Sequence, residues 1–224
     1  MYKFAKRIVS FLPFSWQQEL KRKYYAFNIH KGGFTADEPD YNILEKYISK
    51  GDWVIDIGAN IGHYTLKFSN LVGATGRVLA VEPVPETFEI LTSNVQLFPF
   101  KNVSLFNVAA SNQPAIIGME IPFFSSGLKN YYMASITDKK TGLYVYCIPI
   151  DALPMCNPVR MIKIDAEGHE YQILLGMKKL LEQDKPYLII ETNSDNVFDY
   201  LKELGYVKKR IKDSPNYFFD ISKR

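Results

Sequence analysis

Two carboxylates and an imidazole lie close together after an apolar run that begins at Val159. The segment 164–169 reads Ile-Asp-Ala-Glu-Gly-His. A positioned carboxylate or a neutral imidazole can accept the proton of a hydroxyl group during its reaction. These residue types indicate a general base, with Glu167 and Asp165 as the first candidates and His169 as the third. Alternatively, Asp165 caps the following helix and His169 is an exposed residue at its start.

Oxygen ligands at the same predicted edge leave a metal-assisted alternative open. Glu191 ends the next predicted strand, and Asn193 follows it two residues later. Together with Asp165 they could hold Mg²⁺, which would lower the pKa of an acceptor hydroxyl. We expect chemistry without a metal, because Glu167 supplies a second acid beside Asp165 that a single cation does not need.

A glycine-containing loop follows the apolar segment 53–57. That segment predicts a buried parallel strand interrupted by Asp56, and Gly58, Asn60 and Gly62 follow before a helical pattern begins. Glycine permits a sharp turn and a close approach to a ligand, and asparagine tolerates a left-handed backbone. A dinucleotide loop has its third glycine one place later, and Asp56 suits a cation better than a pyrophosphate. The loop therefore favours S-adenosylmethionine; the alternative is a turn that only packs helix on strand.

Two further predicted strands end in residues that suit the remainder of such a cofactor. Glu82 ends the segment 77–82, about twenty residues after the loop, where a carboxylate can accept both hydroxyl groups of a ribose. The segment 103–108 runs into Ala109, whose small side chain leaves room for a flat ring. Alternatively, Glu82 is an exposed acid before a turn and Ala109 an ordinary turn residue.

Strand-like and helix-like segments alternate along most of the chain, including predicted helices over 40–48 and after His169. This order predicts an α/β fold with a doubly wound, mainly parallel sheet. An antiparallel pair around the turn at 213–216 is expected at the C-terminal edge. Residues 112–150 break the alternation and predict an inserted hairpin or flap. Ligands of such sheets lie beyond the carboxyl ends of the strands. The candidate residues share that position: Asp56, Glu82, Ala109, Asp165, Glu167 and Glu191.

Composition restricts the class of protein. The 224 residues are 47% apolar and 23% charged, which is typical of a globular domain. The net charge of +3 is too small to indicate a nucleic-acid partner. Cys147 and Cys156 have no metal-binding spacing, which favours a reducing compartment. The sequence contains no apolar run long enough to span a membrane and no secretory signal pattern, so we expect a cytoplasmic protein.

Residues 1–35 differ from the remainder, because seven basic residues stand there against the single acid Glu19. Their apolar spacing predicts two short helices, the first including Phe4 and Ile8 and the second beginning near Trp16. One interpretation is a helical extension that covers part of the core. The other is a basic, aromatic anchor on an anionic membrane or a partner. We expect residues 36–224 to form the main domain.

Three motifs resemble those of the FkbM family of S-adenosylmethionine-dependent methyltransferases. Asp-Ile-Gly-Ala-Asn-Ile-Gly stands at 56–62, Val-Leu-Ala-Val-Glu-Pro at 78–83 and Lys-Ile-Asp-Ala-Glu-Gly-His-Glu at 163–170. The likeness covers about residues 50–210. It implies a class I methyltransferase fold with the strand order 3-2-1-4-5-7-6. The implied reaction is methyl transfer to a hydroxyl of a sugar, glycan or polyketide-like small molecule.

The resemblance also implies positions for the cofactor. Glu82 would hold the ribose and Ala109 would border the adenine. Residues 1–35 fall outside the match, as does the detail of 112–150, where we expect acceptor specificity to lie. Four loop residues would flank the methionine part of the cofactor: Asp56, Gly58, Asn60 and Gly62.

Two other functions stay open. Methylation of nitrogen in nucleic acid is disfavoured, because the segment 164–167 lacks an Asn-Pro-Pro-Tyr or Asp-Pro-Pro-Tyr sequence and its carboxylates would repel phosphates. A non-catalytic module with a cofactor fold could instead join a membrane or glycan-synthesis complex through residues 1–35. The presence of both Asp56 and Glu82 argues against that alternative. The sequence makes no prediction of oligomeric state.

Overall fold

The computed structural model describes residues 11–125, 127–137 and 142–221. The predicted helix face that includes Phe4 and Ile8 lies outside the described residues. The helices of the described part are α1 (Phe14–His30), α2 (His63–Val72), α3 (Pro85–Val95), α4 (Glu170–Leu175), α5 (Lys178–Asp184) and α6 (Asp195–Glu203). The strands are β1 (Trp53–Ile57), β2 (Arg77–Val81), β3 (Val103–Phe106), β4 (Ala109–Ala110), β5 (Ala115–Glu120), β6 (Ser135–Thr137), β7 (Leu143–Ile148), β8 (Val159–Ile164), β9 (Tyr187–Glu191), β10 (Tyr206–Arg210) and β11 (Asn216–Ile221).

Seven of the described strands form the main sheet, in the order β10-β11-β9-β8-β1-β2-β3. The pairs among β3, β2, β1, β8 and β9 are parallel, whereas β11 is antiparallel to both β9 and β10. This order confirms the predicted fold class and its antiparallel C-terminal edge. Ile57 pairs with both Val81 and Ile164, so β1, β2 and β8 end at the same level. The residues that follow these three strands are therefore neighbours.

Alternating side chains of the central strands supply the core on both faces of the sheet. Ile55 and Ile162 lie in one buried cluster with the α4 and α5 side, and Val54 and Met161 lie in another with α2. All four are 0% exposed, and full burial of such a side chain stabilises the fold by about 1.5–3 kcal/mol. A strand buried on both faces must be apolar throughout, which explains the near-continuous apolar runs in the sequence.

The inserted segment forms a second, four-stranded sheet, which we call the flap, in the order β4-β7-β5-β6. Strands β5 and β7 of the flap form an antiparallel pair. Ala109 and Ala110 were predicted as the tip of the third core strand. They instead form β4, which pairs in parallel with β7. Asn107 lies between β3 and β4, and its side-chain amide donates to the carbonyl oxygen of Glu82 at 2.9 Å.

Two predicted helices differ in the structure. The segment 40–48 forms two 3₁₀ turns, Pro39–Asn42 and Leu44–Lys46, rather than one α-helix. The buried Asp40 carboxylate holds the first turn, because it accepts hydrogen bonds from Tyr64 and Asn216. The predicted helix after His169 is broken into α4 and α5 at Gly176. A Cβ at Gly176 would lie 1.9 Å from the carbonyl oxygen of Ser111, so the chain bends where these backbones touch.

Helix α1 packs against the main domain through one face. Tyr25 and Ile29 join a buried cluster with Phe34, Ile61 and Ile90. The side chains that predicted this helix from their spacing point outward instead: Trp16, Leu20, Tyr24 and Phe27 are all exposed. Among the described residues, no helix is long and apolar enough to cross a membrane.

Candidate active site

A cavity of about 100 Å³ opens at the carboxyl ends of β1, β2 and β8, with one wall contributed by the flap. Most of the residues predicted for the site line this cavity: Gly58, Asn60, Glu82, Ala109, Asp165, Glu167 and His169. Asp56 and Gly62 do not line it. The fold thus brings together residues that are more than a hundred positions apart in the chain.

The loop after β1 turns through left-handed conformations. The φ angles of Gly58, Asn60 and Gly62 are 75°, 49° and 101°. A Cβ at Gly58 would lie only 1.9 Å from the carbonyl oxygen of Asp165, so a side chain there would collide with backbone. The Asp165 amide also donates to the carbonyl oxygen of Ile57 at 3.1 Å. Glycine at this position therefore lets the ends of β1 and β8 touch at the floor of the cavity.

Glu82 is buried and held by the backbone. The amides of Asn60 and Val84 each donate to one of its carboxylate oxygens, both at 2.9 Å. Burial raises the pKa of Glu82 to about 7, against the lowering effect of these two hydrogen bonds. A carboxylate offers about four acceptor sites, so two remain for a ligand. The ribose role inferred from sequence stays a prediction.

Asp56 lies beneath the cavity rather than in its wall. Its Oδ2 accepts a hydrogen bond from Thr65 Oγ1 at 2.6 Å, which ties β1 to the first turn of α2. Its Oδ1 is buried without a hydrogen-bond partner among the described residues. Burial raises the pKa of Asp56, although nearby Lys163 acts in the opposite direction.

Lys163 supports Asp165 from the interior of the sheet, and it was not among the site residues predicted from the sequence. Its Nζ is 3.0 Å from Asp165 Oδ2 and 4.5 Å from the centre of the Tyr64 ring, and the side chain is buried. Burial opposes its charge, but the carboxylates of Asp165 and Asp56 outweigh burial and raise its pKa. Asp165 is therefore oriented by an ion pair. The feature of the sequence that could have indicated this role was a lysine within the mainly apolar strand β8.

Glu167 lies at the mouth of the cavity on a strained backbone. Its φ is 47°, and Gly168 follows with a φ of 95°. A left-handed conformation costs a residue other than glycine about 1–3 kcal/mol, and such strain is concentrated at functional sites. Partial burial raises the pKa of Glu167, and the charges of Asp165 and Glu170 add to this effect. Its carboxylate is consequently a stronger base than an isolated glutamate.

His169 forms a hydrogen bond with a residue that follows β4. Its Nε2 lies 3.0 Å from the hydroxyl oxygen of Ser111. Burial lowers the pKa of His169, so the imidazole is neutral at pH 7. Ser111 therefore orients a neutral ring that lines the same cavity as Glu167. No sequence pattern pairs Ser111 with His169.

The flap contributes an apolar and aromatic wall to the cavity, which the spacing of residues in the sequence did not predict. Its members are Met119, Tyr131, Tyr132, Ala134 and Ile136. The stretch between β5 and β7 was expected to influence acceptor choice, but no pattern indicated which side chains turn inward. Tyr131 lies beneath Lys21 of α1, whose Nζ is 4.8 Å from the ring centre.

The charge of the cavity is one-sided. Glu82, Asp165 and Glu167 line it, and no lysine or arginine is among its described lining residues. Glu191 and Asn193 do not line it, and both are exposed. Burial, followed by the charges of Asp165 and Glu167, raises the pKa of Glu191 to about 7. No group of three or more His, Cys, Asp or Glu side chains in the described part of the chain could hold a metal ion.

The structure resembles solved methyltransferases. A methyltransferase FkbM from Methylobacillus flagellatus KT matches with a TM-score of 0.56 and 18% identity, over 77% of this chain and 44% of that chain. Fibrillarin from Aeropyrum pernix, solved with natively bound S-adenosyl-L-methionine, matches with a TM-score of 0.50 and 14% identity, over 81% of this chain and 73% of its own. The architecture is that of the class I S-adenosylmethionine-dependent methyltransferases.

The family is narrower than the class. The model of the methyltransferase FkbM domain matches residues 56–208, more than half of the sequence, so the chain belongs to the FkbM methyltransferase family. A hexuronic acid methyltransferase, AglP, from Haloferax volcanii is 26% identical over 152 residues, or 68% of this chain. The match spans 60% of the length of that relative.

The cavity fits the cofactor of this class. S-Adenosylmethionine carries a sulfonium and an ammonium group, and both suit a cavity lined by carboxylates without a described lysine or arginine. Glu82, whose carboxylate accepts hydrogen bonds from two backbone amides, directly follows β2 and lines the cavity. The charge and the acceptor groups of the site agree with those the cofactor requires.

Proposed function

We propose that this chain is an S-adenosylmethionine-dependent O-methyltransferase that acts on a hydroxyl of a sugar or glycan unit. One observation carries the proposal: the acids and the imidazole at 165–169 line the same cavity as Glu82. Candidate proton acceptors and a candidate ribose-binding carboxylate therefore face a shared volume. The similarity to a hexuronic acid methyltransferase supports a sugar as the acceptor.

Glu82 and the loop after β1 would bind the cofactor. The free acceptor sites of Glu82 would receive the two ribose hydroxyls, and Ala109 would leave space for the adenine ring. When bound, S-adenosylmethionine supplies a methyl group that is already activated on sulfur. The protein therefore has to align the acceptor oxygen with that methyl group and remove the acceptor proton.

Glu167 is the first candidate for the base. It lines the cavity, its pKa is raised, and its strained backbone holds it at the mouth. Asp165 is committed to Lys163 by an ion pair, which suits it for positioning an acceptor hydroxyl by accepting its hydrogen bond. His169 is neutral and bonded to Ser111, and is the alternative base.

A second acceptor chemistry follows from the same relative. A hexuronic acid carries hydroxyl groups and also a carboxyl group, and the carboxylate oxygen has no proton to lose at neutral pH. Transfer to that oxygen would need alignment without a base. The substitution Glu167→Gln therefore separates the two reactions, because it should slow transfer to a hydroxyl and leave transfer to a carboxylate little changed.

The test is a reaction with methyl-labelled cofactor and matched acceptors. Methyl hexosides offer only hydroxyl groups, whereas the corresponding hexuronosides offer both kinds of oxygen. Mass spectrometry would locate the label, and mild alkali removes a methyl ester but not a methyl ether. We expect an alkali-stable product. Cofactor binding without transfer to any hydroxyl acceptor would contradict the proposal and favour a non-catalytic module, and label on amine acceptors alone would favour N-methylation.

A further inference from the structure

The outer face of α1 carries a row of large apolar side chains, which we call the stripe: Trp16, Leu20, Tyr24 and Phe27. Between 45% and 63% of each side chain is exposed to solvent. Spacings of four, four and three residues place them along one side of a helix. None of them belongs to a buried cluster among the described residues. A soluble helix normally turns such a row toward the core, so this orientation needs an explanation.

The opposite face fixes α1 to the domain. Gln18 Nε2 donates to the carbonyl oxygen of Glu86 at 3.0 Å, and Arg22 forms an ion pair with Glu89, both residues of α3. The Tyr25 ring lies 5.8 Å from that of Phe34, centre to centre. The helix therefore belongs to the folded domain, and these contacts hold the stripe in an outward orientation.

The sequence charge of residues 1–35 contrasts with that of the remaining chain. Residues 1–35 hold seven of the 27 basic residues and one of the 24 acidic residues, a net charge of +6 that leaves −3 for the remainder. Lys31 Nζ lies 4.5 Å from the centre of the Phe27 ring in the stripe. The side chain of Lys23 is 73% exposed, and its Nζ lies 3.7 Å from a carboxylate oxygen of Glu19. Basic groups thus border the apolar row.

We propose that α1 docks this protein on an anionic lipid surface. The stripe would enter the interface between headgroups and acyl chains, and the neighbouring lysines would contact the anionic headgroups. A second copy of the chain is a poorer occupant, because it would bring two segments of charge +6 together. A polyanion would match the charge but would leave the apolar row in water.

Docking would also place the cavity near the lipid. Lys21 of α1 lies over the ring of Tyr131, and Tyr131 lines the cavity. The helix is therefore next to a wall of the candidate active site. This inference stands on the exposure and charge of α1 and does not depend on the proposed methyl transfer.

Co-sedimentation of the full chain with lipid vesicles tests the proposal. Vesicles of phosphatidylcholine alone are compared with vesicles that also contain phosphatidylglycerol, at low and high salt. We expect binding to the anionic vesicles, release by salt, and little binding to the neutral ones, because the basic groups supply a screened attraction. Trp16 emission should shift to shorter wavelength on binding. Absence of binding, or equal binding to both vesicle types, would overturn the proposal.

A comparison of two variants tests whether the stripe makes the contact with lipid. The double substitution Leu20→Ser and Phe27→Ser should reduce binding to anionic vesicles by at least about tenfold. Ile116→Ser is the matched control, since Ile116 is 67% exposed on the flap outside the stripe. It should bind as the parent does. Circular dichroism checks that both variants fold.

Three further results would overturn the assignment. Equal losses in the stripe and control variants would indicate non-specific apolar adsorption. A dimer in sedimentation equilibrium that the stripe substitutions dissociate would indicate that a second copy covers the face. Trp16→Phe should keep vesicle binding and lose the emission shift. An unchanged shift in that variant would place Trp53, rather than the stripe, at the lipid.

Discussion

At the scale of single residues, the site depends on carboxylates in different environments. Glu82 is buried and accepts hydrogen bonds from two backbone amides, whereas Asp165 forms an ion pair with Lys163. Glu167 stands on a left-handed backbone at the cavity mouth, and no ion pair among the described residues includes it. These environments assign different tasks to chemically similar groups, since burial and neighbouring charges determine which carboxylate stays ionised.

The affinity for S-adenosylhomocysteine should depend on pH through Glu82. Its pKa is raised to about 7, and the ribose contact requires the ionised form. Below that pH the carboxyl group must first lose a proton, so affinity should fall by up to about tenfold for each pH unit below 7. It should reach a plateau above about pH 8. Calorimetry across this range measures the effect.

Two variants sharpen that measurement. Glu82→Gln should weaken binding above pH 8 by about 1.5–3 kcal/mol and remove most of the pH dependence. Glu191→Gln is the control, because the pKa of Glu191 is also raised to about 7 while the residue does not line the cavity. It should bind with the parent's pH profile. If Glu191→Gln removed the pH dependence and Glu82→Gln did not, Glu82 would not be the residue that binds the ribose.

Turnover of a hydroxyl acceptor should depend on Glu167. Glu167→Gln keeps size and polarity but loses the charge, so turnover should fall by about 10²–10⁴ while cofactor affinity changes little. The rate of the parent should fall as pH decreases through the pKa of Glu167, because the protonated group cannot accept a proton. Rates with saturating cofactor, and calorimetry of the variant, separate the two effects.

Chelation distinguishes this mechanism from the metal-assisted alternative at Asp165, Glu191 and Asn193. We expect full activity after thorough treatment with a chelator. Activity that is lost with the chelator and restored by Mg²⁺ would favour the alternative. Full activity of Glu167→Gln on a hydroxyl acceptor would show that Glu167 is not the base. The variant His169→Gln would then be the next test.

At the scale of elements, the loop after β1 brings two strands together. Gly58 combines a φ of 75° with backbone contact to Asp165, and both features require the absence of a side chain. The flap is the other element that defines the site, because its aromatic residues close the cavity opposite the strand ends. Acceptor choice is expected to follow from this second element.

Gly58→Ala should therefore damage both stability and binding. A Cβ would collide with the Asp165 carbonyl and force a left-handed alanine, at a combined cost of about 1–3 kcal/mol. Gly142→Ala is the matched control, because nothing lies within 4 Å of a Cβ placed there and its φ is not left-handed. Urea denaturation and calorimetry with S-adenosylhomocysteine would report the difference. Equal stability of the two variants would contradict the close approach.

At the scale of the whole molecule, a buried polar network joins distant parts of the chain. Asp40 accepts hydrogen bonds from Ser214 at 2.8 Å and from Asn216 at 3.0 Å, and also from Tyr64. Asn216 donates to Glu38 as well, at 3.0 Å. The segment before β1 is thus fastened to β11 at the opposite end of the domain sequence. This arrangement makes the C-terminal edge part of the support for the site.

Asn216→Ala should lower the free energy of unfolding by about 1–3 kcal/mol, because it leaves the buried carboxylate of Asp40 short of a donor. Asn70→Ala is the control, since Asn70 is exposed on α2 and its loss should change stability by less than about 0.5 kcal/mol. Urea denaturation of both variants measures the difference. A comparable small change in both would show that water replaces the lost donor.

The resemblance to the FkbM family implied the order of the strands, and the sequence pattern was sufficient for the fold class and for the residues at the strand ends. Apolar runs ending in Asp56, Glu82 and Asp165 carry that information locally, because a parallel strand must be buried and a ligand must meet its carboxyl end. The flap hairpin was also predictable from its two apolar runs. These features depend on periodicity and on residue types that are neighbours in the chain.

Tertiary contacts decided the remainder. Lys163 pairs with Asp165, His169 pairs with Ser111, and Gly176 breaks a helix, and each of these depends on a partner brought near by folding. The outward direction of the α1 stripe likewise follows from which face finds Phe34 and Ile90, since helical spacing predicts that an apolar face exists but not what it meets. Periodicity describes a single element, whereas orientation and pKa depend on the neighbours that packing supplies.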